Sequence, residues 1–176
     1  MLNAFKLYNS IVLPFFLVLF LGVSPVNEVP KTAKNMEFVI GYKKVDRVEA
    51  LEMFLDKYHS PLKENAKTFV EIADRYGMDY RLLPAIACME STCGKALIEG
   101  TYNPFGWGIH GKNYIAFESY DHAIKIVAEG IHKNYINRGF DTIVEIAPIY
   151  TPPNSKNWAR GVQWFSNQID GFAYRT

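Results

Sequence analysis

A chain of 176 residues, 49% hydrophobic and 21% charged, has the composition of a globular protein and excludes both disorder and fibrous repeats. A formal net charge of +1, with lysines and arginines scattered along the chain, excludes the basic stripe that nucleic-acid binding requires. Aromatic residues make up 15% of the chain and crowd between Tyr102 and Trp164, a density that suits an aromatic-lined cleft as well as a core.

Residues 1–26 read as a signal peptide or an N-terminal membrane anchor. Lys6 precedes an apolar run from Ile11 to Val23, which is shorter than the about 20 residues a spanning helix needs. Ser24-Pro25 is a poor cleavage site, so an uncleaved segment touching the membrane stands beside removal. Either way the rest of the chain is expected outside the cytoplasm. Residues 27–44 read as a linker with a weak strand-like patch at Phe38–Ile40, and residues 45–176 as one domain.

That domain reads as helices interrupted once. Val48, Leu51, Phe54, Leu55 and Tyr58 recur at helical spacing and predict a helix near 46–58. Ser60-Pro61 pairs an N-cap with a proline at the first helical position, predicting a second helix that ends before Gly77. Asp79 caps a third, from Tyr80 to about Ser91, where Pro84 is early enough to be tolerated and Gly94 marks the stop. Ser119 caps a fourth, whose stripe of Tyr120, Ile124, Val127, Ile131 and Tyr135 runs toward Gly139. A short fifth helix starts at Asp141 and is expected to stop at Pro148. A last one starts at Asn154 or Ser155, with Trp158, Val162, Phe165 and Ile169 facing inward. Between the third and fourth, glycines, aromatics and His110-Gly111 predict a small β-ribbon, Trp107–Ile109 pairing with Tyr114–Phe117.

The most informative residue is Glu90, near the end of the apolar third helix. The negative end of the helix dipole disfavours an anion there. Ile86, Ala87 and Met89 offer little water, and desolvation raises a carboxyl pKa. Both effects favour a proton held near neutrality, which a general acid needs. The competing reading is a glutamate exposed on a fraying helix end. Cys88 and Cys93 flank it. In an exported domain a disulfide is one reading and two free thiols the other, and a bond requires the helix to end by Ser91. Two thiols without histidine partners fall short of a metal site, and His59, His110, His122 and His132 show no metal spacing. No cofactor is expected, and nothing in the sequence points beyond a monomer.

Several segments resemble a known family. Leu83–Lys95 resembles the helix-end "ES…GK" signature of lysozyme-like cell-wall glycosidases. Asn103–Ile109 resembles the "N-x-F-G" segment of autolysin-type endo-β-N-acetylglucosaminidases (mannosyl-glycoprotein endo-β-N-acetylglucosaminidase-like domains). Phe117–Ile124 and Ile149–Ala159 are similar to their next two segments, and the four stand in the family's order over roughly residues 60–170. The resemblance implies a mainly helical α+β, lysozyme-like domain with a small β-hairpin lobe beside the cleft. It implies export to the cell wall, peptidoglycan strands as partner and substrate, and Glu90 as the catalytic acid.

Under that resemblance other residues gain alternatives. Ser91 bonds Glu90 or caps the helix. Asn103 holds a turn or meets a substrate acetamido group. Trp107 is core or a platform for a sugar face. Tyr150, ahead of a rigid Thr151-Pro-Pro turn, orients Glu90 or the N-acetyl group, or packs in the core. Trp158 and Trp164 are assigned to packing. The chain departs from the family in one respect: its members carry a second glutamate on a longer β lobe, and here Ile109 and Phe117 stand too close for that lobe. Glu99 and Glu118 do not fall on the family position. Inversion needs a base roughly 6.5–9.5 Å from the acid and retention one about 5–5.5 Å away. The expected function is therefore a peptidoglycan β-1,4-glycosidase of the glucosaminidase or muramidase type. A lytic transglycosylase that needs one carboxylate, or a non-catalytic glycan-binding module, is the alternative.

Overall fold

In the computed structural model the described residues are 43–108 and 114–175, and they fold as six helices with one short strand pair. Helix α1 is Arg47–Lys57, and its Asp46 cap accepts the Val48 N–H at 2.8 Å. Helix α2 is Ala66–Tyr76, closed by Gly77 in the left-handed conformation that a C-terminal cap requires. The predicted start at Ser60-Pro61 is corrected. The Ser60 hydroxyl does accept the Leu62 N–H, but it donates to the Cys93 carbonyl at 2.7 Å, and a 3-10 turn over Lys63–Asn65 precedes the helix. That serine ties two loops together instead of opening a helix.

Helix α3, Leu82–Ser91, is buried continuously from Leu82 to Cys88. A helix apolar on every side belongs at the centre, and α3 packs along the last helix. Burying side chains such as Leu83 and Ile86 contributes about 1.5–3 kcal/mol each, so α3 is fixed firmly enough to serve as a mount for Glu90. Helix α4, Tyr120–Asn134, starts at Ser119, whose hydroxyl accepts the His122 N–H. Helix α5 is Ile143–Tyr150, opened by a reciprocal Thr142–Glu145 capping box. It continues through Pro148, contrary to the predicted stop. Proline removes the N–H that would bond the Val144 carbonyl, and the loss falls on the solvent side of the helix, where Val144 is 73% exposed. Helix α6, Ser155–Asp170, buries Trp158, Val162 and Ile169, while Phe165 is only half-buried.

Lys43–Lys44 (β1) pairs antiparallel with Tyr174–Arg175 (β2), so the end of the predicted linker is tied to the end of the helical body. The predicted ribbon is not found among the described residues. Trp107 and Gly108 lie in a turn and Tyr114–Phe117 is irregular, while Ile109 and the His110-Gly111 signal lie outside the described residues. The reason is local: Gly106 (φ 62°) and Gly108 (φ 68°) are both left-handed, and alternate left-handed residues prevent an extended run. No helix among the described residues is long and apolar enough to cross a membrane. The predicted segment 1–26 and the Phe38–Ile40 patch lie outside them.

Candidate active site

The end of α3 is shaped by three consecutive left-handed residues, Thr92 (φ 53°), Cys93 (φ 58°) and Gly94 (φ 79°). For the two non-glycines this is costly backbone that persists only when its surroundings impose it. Cys88 and Cys93 are bonded as a disulfide, because α3 ends at Ser91 and the chain turns back. The Ser91 hydroxyl accepts the Gly94 N–H at 3.0 Å and lies 2.9 and 2.7 Å from the Ala87 and Pro104 carbonyls, to which its single proton is donated. A Cβ on Gly94 would stand 3.0 Å from Leu62 Cγ, so a larger residue would press on that side chain and also be strained at φ 79°. Glu90 lies inside the six-residue loop that the disulfide closes.

Glu90 faces a hollow of about 470 Å³ that Trp107, Tyr135 and Tyr150 wall with aromatic rings, and that Gly106 and Thr151 complete. The Trp158 indole N–H donates to Glu90 Oε1 at 2.6 Å. Oε2 lies on the Gly106 side, 3.9 Å from where a Cβ on that residue would sit. Glu90 is an exposed residue, yet partial desolvation of its carboxyl raises the pKa above the ordinary glutamate value, and the Trp158 N–H, which favours the anion, pulls the other way. One carboxyl oxygen is thus anchored and the other turned to the cleft. The apolar surroundings inferred for Glu90 hold in part: Ile86 and Ala87 are buried, but Met89 is 38% exposed and Glu90 itself is an exposed residue, so its carboxyl is only partly desolvated.

Trp158 is the residue that sequence reasoning missed. Its position on the buried stripe of α6 assigns it to packing, and it is indeed only 4% exposed. Its ring stacks on Tyr150 at 4.7 Å and 26°, and the same indole supplies the N–H that holds the acid. The available signal was chemical: a buried indole needs an acceptor, and Glu90 is the one carboxylate of an otherwise apolar helix. Trp164, by contrast, is half exposed and stands outside the hollow.

The remaining candidates divide. Tyr150 lines the hollow beside Glu90, and its hydroxyl donates to the Phe105 carbonyl at a long 3.4 Å. Burial, then the Glu90 charge and Tyr135, raise the Tyr150 hydroxyl pKa well above the tyrosine range, keeping it a neutral donor. Trp107 also lines the hollow, with one edge set against Gly130 of α4, where a Cβ would overlap the indole. Asn103 is 5% exposed and fully committed. Its amide donates to the Trp107 and Ile115 carbonyls at 2.9 and 3.0 Å, and its oxygen accepts the Trp107 N–H at 3.0 Å. It holds the turn, and no donor remains for an acetamido group. Ser91, 4% exposed, likewise supports the turn and makes no bond to Glu90.

Among the described residues no second carboxylate lines the hollow, and residues 109–113 contain none. Glu99 lies on a neighbouring hollow, and Glu118 stands 3.7 Å from His122. No group of three or more His, Cys, Asp or Glu among the described residues is placed to hold a metal ion. Compared with models of protein families and with curated proteins, the chain matches none.

Proposed function

We propose that this protein cleaves β-1,4-glycosidic bonds of peptidoglycan strands outside the cytoplasm, with Glu90 as general acid. The observation that carries the proposal is the state of that one carboxyl group. It is raised toward protonation by partial desolvation, anchored by Trp158 through Oε1, and has Oε2 on the side of Gly106, which lines the aromatic-walled hollow. Aromatic walls suit sugar rings, whose C–H faces pack on π surfaces while their hydroxyls reach polar groups at the edge. The helical body and the segment resemblances support a lysozyme-like domain, acting as a monomer without a cofactor. An N-terminal segment would be removed or hold the domain to the membrane.

The absence of a second carboxylate from the described wall favours a route that needs only one. Glu90 gives its proton to the glycosidic oxygen as the C1–O bond breaks. The resulting carboxylate takes the proton of the muramic 6-hydroxyl as that oxygen closes on C1. The acid is regenerated, no water is consumed, and the product ends in an anhydro-muramoyl sugar. Hydrolysis is the second reading, and it requires water positioned by a group other than a wall carboxylate.

The test is digestion of purified peptidoglycan by the full chain, beside Glu90→Gln, with mass spectrometry of the released fragments. Anhydro ends made only by the wild type are the expected result. Ends carrying an added water would establish the hydrolase. No release by either protein, with both sedimenting on the wall, would make the chain a binding module and overturn the proposal.

A further inference from the structure

Tyr102 is held out of the body in a conformation that costs free energy. Its φ is +45°, in the left-handed region that an aromatic L-residue rarely adopts, and its side chain is 44% exposed. Its neighbours in the chain are buried and bonded. Thr101, 2% exposed, donates its hydroxyl to the Ile98 carbonyl at 2.7 Å and accepts the Phe117 N–H on its own carbonyl at 2.7 Å. Asn103 makes the three bonds described above. The loop is therefore clamped on both sides of Tyr102, and what the clamp presents to solvent is the phenol ring. That ring stands edge-on to Tyr120 at 5.2 Å and 87°, and the two border a separate hollow of about 370 Å³ whose rim includes Lys95 and Glu99.

This hollow is linked to the acid by covalent structure. Tyr102 and Gly106 are four residues apart, at most about 14 Å along the chain, and Gly106 adjoins Glu90 Oε2. The Ser91 hydroxyl also joins Gly94, on the border of the second hollow, to Pro104, which leads into the first. Resting on the glycan-cleaving reading, we propose that Tyr102 and Tyr120 form a second sugar-binding platform. It takes an N-acetylated hexose of the same strand, outside the bond being cut, and confers a preference for longer strands. The aromatic pair supplies a face for the sugar's C–H groups; Glu99 supplies an acceptor for its hydroxyls, and Lys95, whose Nζ already donates one proton to the Tyr58 carbonyl at 2.8 Å, supplies a donor from the other two.

The test uses Tyr102→Gly in the full chain. Glycine adopts φ +45° without strain, so folding is preserved, and an unchanged or raised thermal midpoint verifies it. With peptide-free glycan strands the expected result is a KM about five- to tenfold higher and kcat within about twofold, with Tyr102→Trp restoring the wild-type KM. The same loss is expected in strand binding by Glu90→Gln/Tyr102→Gly relative to Glu90→Gln. With β-1,4-linked N-acetylglucosamine oligosaccharides of two to six sugars, only the longer ones should register the substitution. Wild-type KM for Tyr102→Gly on every length would overturn the platform and leave the glycosidase standing. A wild-type chain that neither cuts nor binds any strand would overturn both.

Discussion

Trp158 on α6 donates its indole N–H to Glu90 on α3 across 68 positions of sequence, at 2.6 Å. This bond opposes the desolvation of the carboxyl and fixes which oxygen faces the cleft. Trp158→Phe keeps an aromatic ring beside Tyr150 and removes the donor together with part of the indole's volume. The Glu90 pKa should then rise further, moving the alkaline limb of the kcat/KM profile to higher pH. Loss of orientation should lower the plateau about ten- to a hundredfold. An alkaline limb that moved down or stayed put would show that the bond does not act on the acid.

Glu90→Gln should lower turnover at least about a hundredfold, the usual worth of a positioned general acid. Its effect on stability has the opposite sign. The folded carboxyl sits above its ordinary value of 4.5, so the folded state binds the proton more tightly than the unfolded chain does. Wild-type stability therefore declines as pH rises from 4.5 through the folded value, and a neutral amide escapes that decline. Urea midpoints should favour Glu90→Gln at neutral pH and converge with the wild type under acid conditions. A variant less stable than the wild type at neutral pH would contradict the raised carboxyl.

Reducing the Cys88–Cys93 bond, or replacing both residues by serine, should lower activity as well as stability. A six-residue loop limits the unfolded chain only modestly, worth about 2 kcal/mol. The same bond holds Thr92 and Cys93 in their left-handed turn one residue beyond Ser91, and Glu90 lies within the loop. We expect at least a tenfold fall in kcat with far-ultraviolet circular dichroism unchanged. Full activity in excess dithiothreitol, with free thiols verified by mass, would count against that role.

Gly130→Ala weighs two local effects. Alanine gains about 0.8–1.0 kcal/mol over glycine inside a helix. Here its Cβ would overlap the rigid Trp107 indole, and overpacking of that kind costs about 1–3 kcal/mol. The overlap should win, destabilising the protein by about 1 kcal/mol, shifting Trp107 in the cleft wall and altering tryptophan fluorescence. A more stable protein with unaltered emission would mean that the indole yields freely.

Helical periodicity made most of the helical body legible, because stripes such as Ile124, Val127 and Ile131 have only one face to bury. Glu90 was legible for a related reason: a carboxyl in an apolar helix end is anomalous wherever the helix packs. Trp158 was not, since its partner is chosen by how α6 crosses α3 and no local pattern encodes that. The hairpin expectation failed because glycines and aromatics serve both a ribbon and a chain of turns, and the left-handed φ at Gly106 and Gly108 decides between them. Asn103 was legible only as a pair of alternatives. Its three bonds, to Trp107 and Ile115, settle it as a clamp.

The pairing of Lys43 with Arg175 and Lys44 with Tyr174 brings the entry and the exit of the helical body side by side. A mechanical load applied through either flank enters at the same place, so it peels that short pair before it reaches α3 or α6. The same adjacency makes the body suited to circular permutation. Its two ends can be joined by a few residues and new ones opened between helices, with every helix still meeting the same neighbours. It can equally be spliced into a loop of another protein through two closely spaced junctions, carrying the acid and its tryptophan along as a unit.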